Sequence, residues 1–117
     1  MTKSAGKSKK STIWISYDLG IRGDYEGLYR WLDNHSAKEC GDALAVLQFQ
    51  WTNDLLEDLK KDLVVDVKLD KRARIYVIYR DRDAVKNRGK FIFGGRRAAA
   101  WKGYSEASGG EFDEEIG

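Results

Sequence analysis

The chain has no proline, one cysteine and one histidine among its 117 residues, and no apolar run longer than about eight. The lone Cys40 excludes an intrachain disulfide and a cysteine-built zinc site, and it fits a reducing compartment. Nothing next to it resembles an activating base, since His35 is distant, so a minor core position is expected for the thiol rather than a reactive one. About twenty apolar residues are needed to cross a bilayer, and the first ten residues lack the hydrophobic region of a signal peptide. A cytoplasmic protein with no membrane partner is the expectation. No phosphate-binding glycine loop, zinc constellation or nucleophile motif is present. The absence of proline decides nothing by itself.

What is present is enough apolar residue, 42% of the chain, to bury one core but not two. The net charge of +2 conceals a segregation. Residues 1–10 hold four lysines and no acid, and residues 11–70 hold six bases against twelve acids. Residues 71–102 hold eleven bases against two acids, and residues 103–117 hold five acids and no base. Within the basic block, Arg74, Arg80, Arg82, Lys86, Arg88, Lys90, Arg96, Arg97 and Lys102 are interleaved with Tyr76, Tyr79, Phe91, Phe93 and Trp101. Cations for phosphates and rings for bases are what nucleic acid requires. The competing reading is a solvated face whose cations pair with the acidic tail or with a partner's acidic half.

Residues 1–11, rich in Lys, Ser, Gly and Thr, bury too little to offset their ordering entropy and read as a disordered basic tail. Residues 105–117 read as a flexible acidic tail, with Phe112 and Ile116 as weak anchors. Residues 12–104 form the domain between them. In residues 12–19 (TIWISYDL), Ile13, Ile15, Tyr17 and Leu19 alternate with Trp14, Ser16 and Asp18, which predicts a strand with one face on a core and Trp14 on the other. Asp24 is placed to cap a helix whose Tyr25, Leu28, Tyr29 and Leu32 form one stripe. Gly27 weakens that helix by about 1 kcal/mol relative to alanine, consistent with close packing on a sheet.

Residues 36–39 suit a short strand, Cys40, Gly41 and Asp42 a turn, and residues 43–51 (ALAVLQFQW) a strand. Thr52 or Asn53 is expected to cap a second helix with Leu55, Leu56, Leu59 and Leu63 on its apolar stripe. Residues 64–69 read as a short strand, Asp70, Lys71 and Arg72 as a turn, residues 73–80 (ARIYVIYR) as a long strand and residues 90–93 (KFIF) as a last one. This order predicts a two-layer, ferredoxin-like α/β plait with a C-terminal β extension. Its sheet has one face without helices, where Trp14 and Trp51 argue for a partner, most economically a second copy in a homodimer.

The strand closing in Tyr17-Asp18, the helix with Leu28 and Leu32, the strand from Leu44 to Phe49, and TNDLLEDLKKDL leading to Arg74-Ile75-Tyr76 resemble the CRISPR-associated protein 2 family. They also resemble its relatives, the virulence-associated protein D endoribonucleases. The likeness covers residues 12–81. It implies a symmetric homodimer in which Asp18 of each subunit meets near the two-fold axis and binds Mg²⁺ for phosphodiester cleavage. Residues 89–94 would then clasp the partner's sheet.

The chemistry can be weighed apart from the family. Magnesium-assisted cleavage needs oxygen ligands that leave waters on the metal, which one Asp18 cannot supply alone. Asp24, Asp81 and Asp83 are candidate further ligands, against the alternative that acids at element ends are caps. His35 is a candidate general base or acid, against a helix-terminal structural role. Gly94-Gly95-Arg96-Arg97 suits a phosphate contact, and Trp101 either stacks on a base or packs on the core, with packing favoured. The expected function is therefore nucleic-acid binding, to RNA or DNA, extending to a metal-dependent nuclease. The alternative is a non-catalytic dimeric scaffold that binds another protein through its sheet edge and charged tails.

Overall fold

Alternation of small or branched residues with polar ones puts Ser11, Ile13, Ile15 and Tyr17 on one face of the first strand and Thr12, Trp14, Ser16 and Asp18 on the other. The computed structural model describes residues 7–105. Its elements run β1 (Lys9–Asp18), α1 (Tyr25–Asn34), β2 (Lys38–Gly41), β3 (Leu44–Trp51), α2 (Leu55–Asp66), β4 (Arg74–Asp81) and β5 (Lys86–Phe93). The strands form one open sheet in the order β2-β3-β1-β4-β5, and every neighbouring pair is antiparallel. Two helices and this five-stranded sheet make an α+β architecture compatible with a ferredoxin-like plait.

Both helices pack on the same sheet face. Leu28, Trp31 and Leu32 from α1 and Leu55, Leu59 and Leu63 from α2 meet Ile13, Ile15, Tyr17, Ala45, Leu47, Phe49, Ile75, Val77 and Ile92 in one core. Burying each such side chain stabilises the fold by about 1.5–3 kcal/mol before entropy is counted. Trp31 is the largest fully buried residue, and its indole Nε1 donates to Asp62 Oδ2 of α2 at 2.9 Å. The expected stripe of α1 had Tyr29 in this role, but Tyr29 is exposed and Trp31 turns inward.

Asp24 caps α1 as expected, accepting from Gly27 N through Oδ1, while its Oδ2 accepts from Lys68 N just beyond α2. One carboxylate thus ties the start of one helix to the end of the other. Gly27 is tightly packed, yet against α2 rather than the sheet: a Cβ there would come within 2.6 Å of Asp66 O and would collide with Asp24.

Several expectations are corrected. The N-terminal tail does not reach residue 11, because Lys9–Ser11 already pair with β3: Ser11 Oγ accepts from Trp51 Nε1 at 3.0 Å, and the Lys9 ammonium lies 4.7 Å from the Trp51 ring. Those contacts also put Trp51 on the helix-covered face rather than the bare one. Asp54, not Thr52 or Asn53, caps α2 by accepting from Glu57 N, while Thr52 N donates to Asp58. Residues 64–66 continue α2 rather than start a strand, since burying Leu63 and closing Val67 N on Leu63 O outweigh the β preference of Val64 and Val65. Cys40 is exposed on the edge strand β2 instead of buried. The last strand begins at Lys86, four residues earlier than its apolar run suggests, because its polar first half pairs with β4 through the backbone ladder and through the ion pair of Arg88 with Asp81 rather than through apolar side chains. The rest of the acidic tail, including Phe112 and Ile116, lies outside the described residues.

Candidate nucleic-acid interface

The face without helices is built by register. Across it, Trp14 stands between Val46 of β3 and Ile78 of β4, and Ile78 is in turn opposite Gly89 of β5. One step along, Leu44, Ser16, Tyr76 and Phe91 form the next row, and beyond that Asp18 faces Arg74. Trp14 and Ile78 each keep 40% of their surface in water. Tyr76 and Phe91 pack edge to face with ring centroids 4.8 Å apart. Gly89 makes room for this pair, since any Cβ at that position would collide with the Tyr76 phenol.

Asp18 anchors one corner of the face. Its Oδ1 accepts from Gly20 N at 3.0 Å, an Asx-type turn that the positive φ of Gly20 allows. Its Oδ2 accepts from Arg97 Nη2 at 3.0 Å and lies 3.5 Å from Arg74 Nη2. The Gly20 amide does most to lower the Asp18 pKa; partial burial opposes it, and the hydrogen bond and charge of Arg74 and the charge of Arg97 add to the lowering. Arg96 extends over Phe91, its guanidinium carbon 5.8 Å from the ring centre. Ser16, Tyr17, Asp18, Arg74, Tyr76, Phe91 and Arg96 line a cleft of ≈ 300 Å³. A larger depression of ≈ 430 Å³ between the β1–α1 and α2–β4 loops has no aromatic wall, and its Asp24 is committed to capping.

The other basic candidates divide between surfaces. Arg80 shares the open face and lies 3.5 Å from Asn87 Oδ1. Arg82, in the β4–β5 turn, donates to Lys10 O at 2.9 Å. Lys86, Arg88 and Lys90 are opposite Asp81, Tyr79 and Val77, so they point toward the helix side at the sheet edge, and Arg88 pairs with Asp81 at 2.6 Å. Trp101, favoured for packing, is instead 74% exposed, with Lys102 exposed beside it. Only Arg74, Arg80, Arg96 and Arg97 of the candidates therefore join the aromatic face. Ile78 and Ser16 belong to it too and were not singled out from sequence, although the period-two spacing of Trp14, Ser16 and Asp18 was the available signal.

His35 is not near Asp18. It is the C-cap of α1, with Nδ1 2.8 Å from Trp31 O and Nε2 3.1 Å from Asp62 Oδ2, and its ring stacks 4.0 Å from that of Trp31. Its other ring neighbour, Phe49, pairs with Ser11, seven positions and about 23 Å along β1 from Asp18. The two residues cannot serve one reaction within a chain.

The surroundings of Asp18 do not fit a magnesium ion. Such an ion takes oxygen ligands, and within the chain the side chains paired with Asp18 Oδ2 are two guanidiniums. Asp81 is at the far end of β4 and is engaged with Arg88 and the amides of Asp83 and Ala84. Among the described residues no three His, Cys, Asp or Glu side chains group together. A second carboxylate beside Asp18 would have to come from another chain.

Among the described residues no helix is long and apolar enough to cross a membrane. Comparison with family models, characterised proteins and solved structures finds no match for the chain.

Proposed function

We propose that the chain binds single-stranded nucleic acid through the open face of a ferredoxin-like plait. One observation carries the reading: exposed Trp14 and Ile78, the Tyr76–Phe91 pair and the guanidiniums of Arg74, Arg80, Arg96 and Arg97 share one uncovered surface. Stacking on such rings is sequence-tolerant and contributes about 1–3 kcal/mol per base, while arginines take the phosphates. A broad sheet offers nothing to insert into a duplex groove, so unpaired bases are the better ligand. The helix layer carries Glu26, Asp33, Glu57, Asp58, Asp62 and Asp66 against Arg30, Lys60 and Lys61, which turns a polyanion toward the other side.

The role of Asp18 in this reading is to hold Arg74 and Arg97 in place, and phosphodiester cleavage is no part of it. The test is fluorescence anisotropy of labelled single- and double-stranded RNA and DNA at about 50 and about 200 mM salt, where phosphate binding weakens steeply. Binding of single strands that Trp14→Ala reduces is the expected result. Equal binding of duplex, or none at low salt, would overturn the reading.

The row Val46, Trp14 and Ile78 supports a second reading, in which two copies associate through their open faces, as expected of a sheet face without helices. Sedimentation equilibrium separates them, because Trp14→Ala would then convert a dimer to a monomer in the absence of nucleic acid.

A further inference from the structure

We infer that the cleft beside Asp18 is a nucleotide subsite, in which a phosphate sits among Arg74, Arg96 and Arg97 and its base stacks on Phe91 and Tyr76. The inference rests on the single-strand reading of the open face and assigns one phosphate and one base to fixed places on it.

The charge balance is the first argument. Two guanidiniums, of Arg74 and Arg97, pair with the Asp18 carboxylate and a third, of Arg96, lies over Phe91 in the same cleft, so three cations stand against one anion there. Asp18 offers little repulsion of its own, because Oδ1 is held by the Gly20 amide and Oδ2 by two arginines. The second argument is unsatisfied bonding. Among the described residues, Arg74 Nε is the one buried side-chain nitrogen or oxygen without a hydrogen-bond partner. The terminal nitrogens of Arg74 make only long contacts, 3.4 Å to Gly95 O and 3.5 Å to Asp18. A guanidinium has five donors, and leaving the buried Nε–H without an acceptor is costly. A phosphate provides acceptors in the planar, two-pronged geometry that guanidinium matches.

Shape is the third argument. The cleft is of the size that takes a small ligand, and its wall includes two aromatic rings already set edge to face, with Arg74 and Arg96 both within 6.0 Å of the Phe91 centre. Gly94, at φ +74° and at a place where any Cβ would collide with Ala73 O and Arg74, turns the chain so that Arg96 and Arg97 fold back across the open face toward β1. The chain after β5 thus completes the subsite. The shared chemistry is a base-bearing phosphate, supplied by a strand or by a free nucleotide.

The experiment titrates the whole chain with adenosine 5′-monophosphate, adenosine, inorganic phosphate and a single-stranded oligonucleotide. The Arg74 Nε–H resonance is followed by nuclear magnetic resonance, beside anisotropy for the oligonucleotide. Arg96→Ala and Arg97→Ala, both at exposed side chains, serve as the variants, with circular dichroism as the check on folding. The expected result is that the monophosphate shifts the Arg74 signal, that adenosine and phosphate alone do so far more weakly, and that each variant weakens oligonucleotide binding by about tenfold. A strand that competes with the monophosphate identifies strand phosphate as a source, and one that does not compete identifies free nucleotide. Oligonucleotide binding that neither variant alters, with a still Arg74 signal, would overturn the subsite and leave the single-strand reading intact. Equal shifts with inorganic phosphate would overturn the base-stacking half. No response to any probe would overturn both.

Discussion

Adjacent residues of β1 show how differently the two faces of one sheet are used. Ile13 and Ile15 have no exposed surface, whereas Trp14 between them leaves 40% of its surface in water. The covered face is closed largely by aliphatic side chains and two helices, which the Trp31 indole and the Asp62 carboxylate tie to each other. The open face mixes rings and arginines with Val46, Ile78 and Leu44, and both helices lie on the other side of the sheet. Burial is what the first face contributes, and the second keeps large apolar surface solvated, which a fold does only at some cost. The difference assigns stability to one side and recognition to the other.

Substitution on the covered face tests the first half of that assignment with the largest effect. Trp31→Ala should cost about 3–5 kcal/mol of stability in urea denaturation, since it empties the core, takes the indole donor from Asp62 and removes the ring beneath His35. Trp14→Ala should change stability by roughly 1 kcal/mol or less while reducing single-strand affinity about 5- to 100-fold. If the two tryptophans proved equally important for folding, the division between faces would be lost.

Salt sharpens the comparison further. Each phosphate contact to a single strand contributes a slope of about −0.7 in log affinity against log salt, so Arg96→Ala should flatten the plot by about that amount. Lys90→Ala, on the helix side of β5, should leave the slope unchanged.

A smaller effect is expected with acid. Asp18, Asp24 and Asp81 all have pKa values lowered from the ordinary one, each mainly by backbone amides that donate to the carboxylate. Their folded forms bind protons less readily than the unfolded chain does. The stability they contribute is therefore complete above the ordinary carboxylate range near pH 4 and is lost as pH falls through the lowered values. Thermal melts between about pH 6 and about pH 2.5 should show this decline. Asp18→Asn should make it shallower, and it isolates the share that belongs to the open face.

The strongly periodic elements were legible in the chain: the alternation of β1 and β4, the leucine stripe of α2 and the capping role of Asp24 follow from local spacing. Other features depend on partners far away in sequence. Lys9–Ser11 join the sheet because Trp51 lies opposite, 40 residues from the Ser11 whose hydroxyl it binds. Val64 and Val65 look like strand residues, and the burial of Leu63 together with the bond from Val67 N to Leu63 O keeps them helical. Asp18 was found by its place on a strand end, but its neighbour Arg97 is 79 residues away, and that distance hid their ion pair. The basic block was correctly seen as dense, while its split into open-face and helix-side cations required the β4–β5 register.

The sheet ends in two unequal edges. β2 is four residues long and its register with β3 shifts between Glu39 and Gly41, while β5 carries Lys86, Arg88 and Lys90 and is bulged near Ile75 and Tyr76 of its neighbour. Short, charged and irregular edges are poor templates for the addition of another strand, so this domain should resist the open-ended stacking that leads to fibrils even at high concentration.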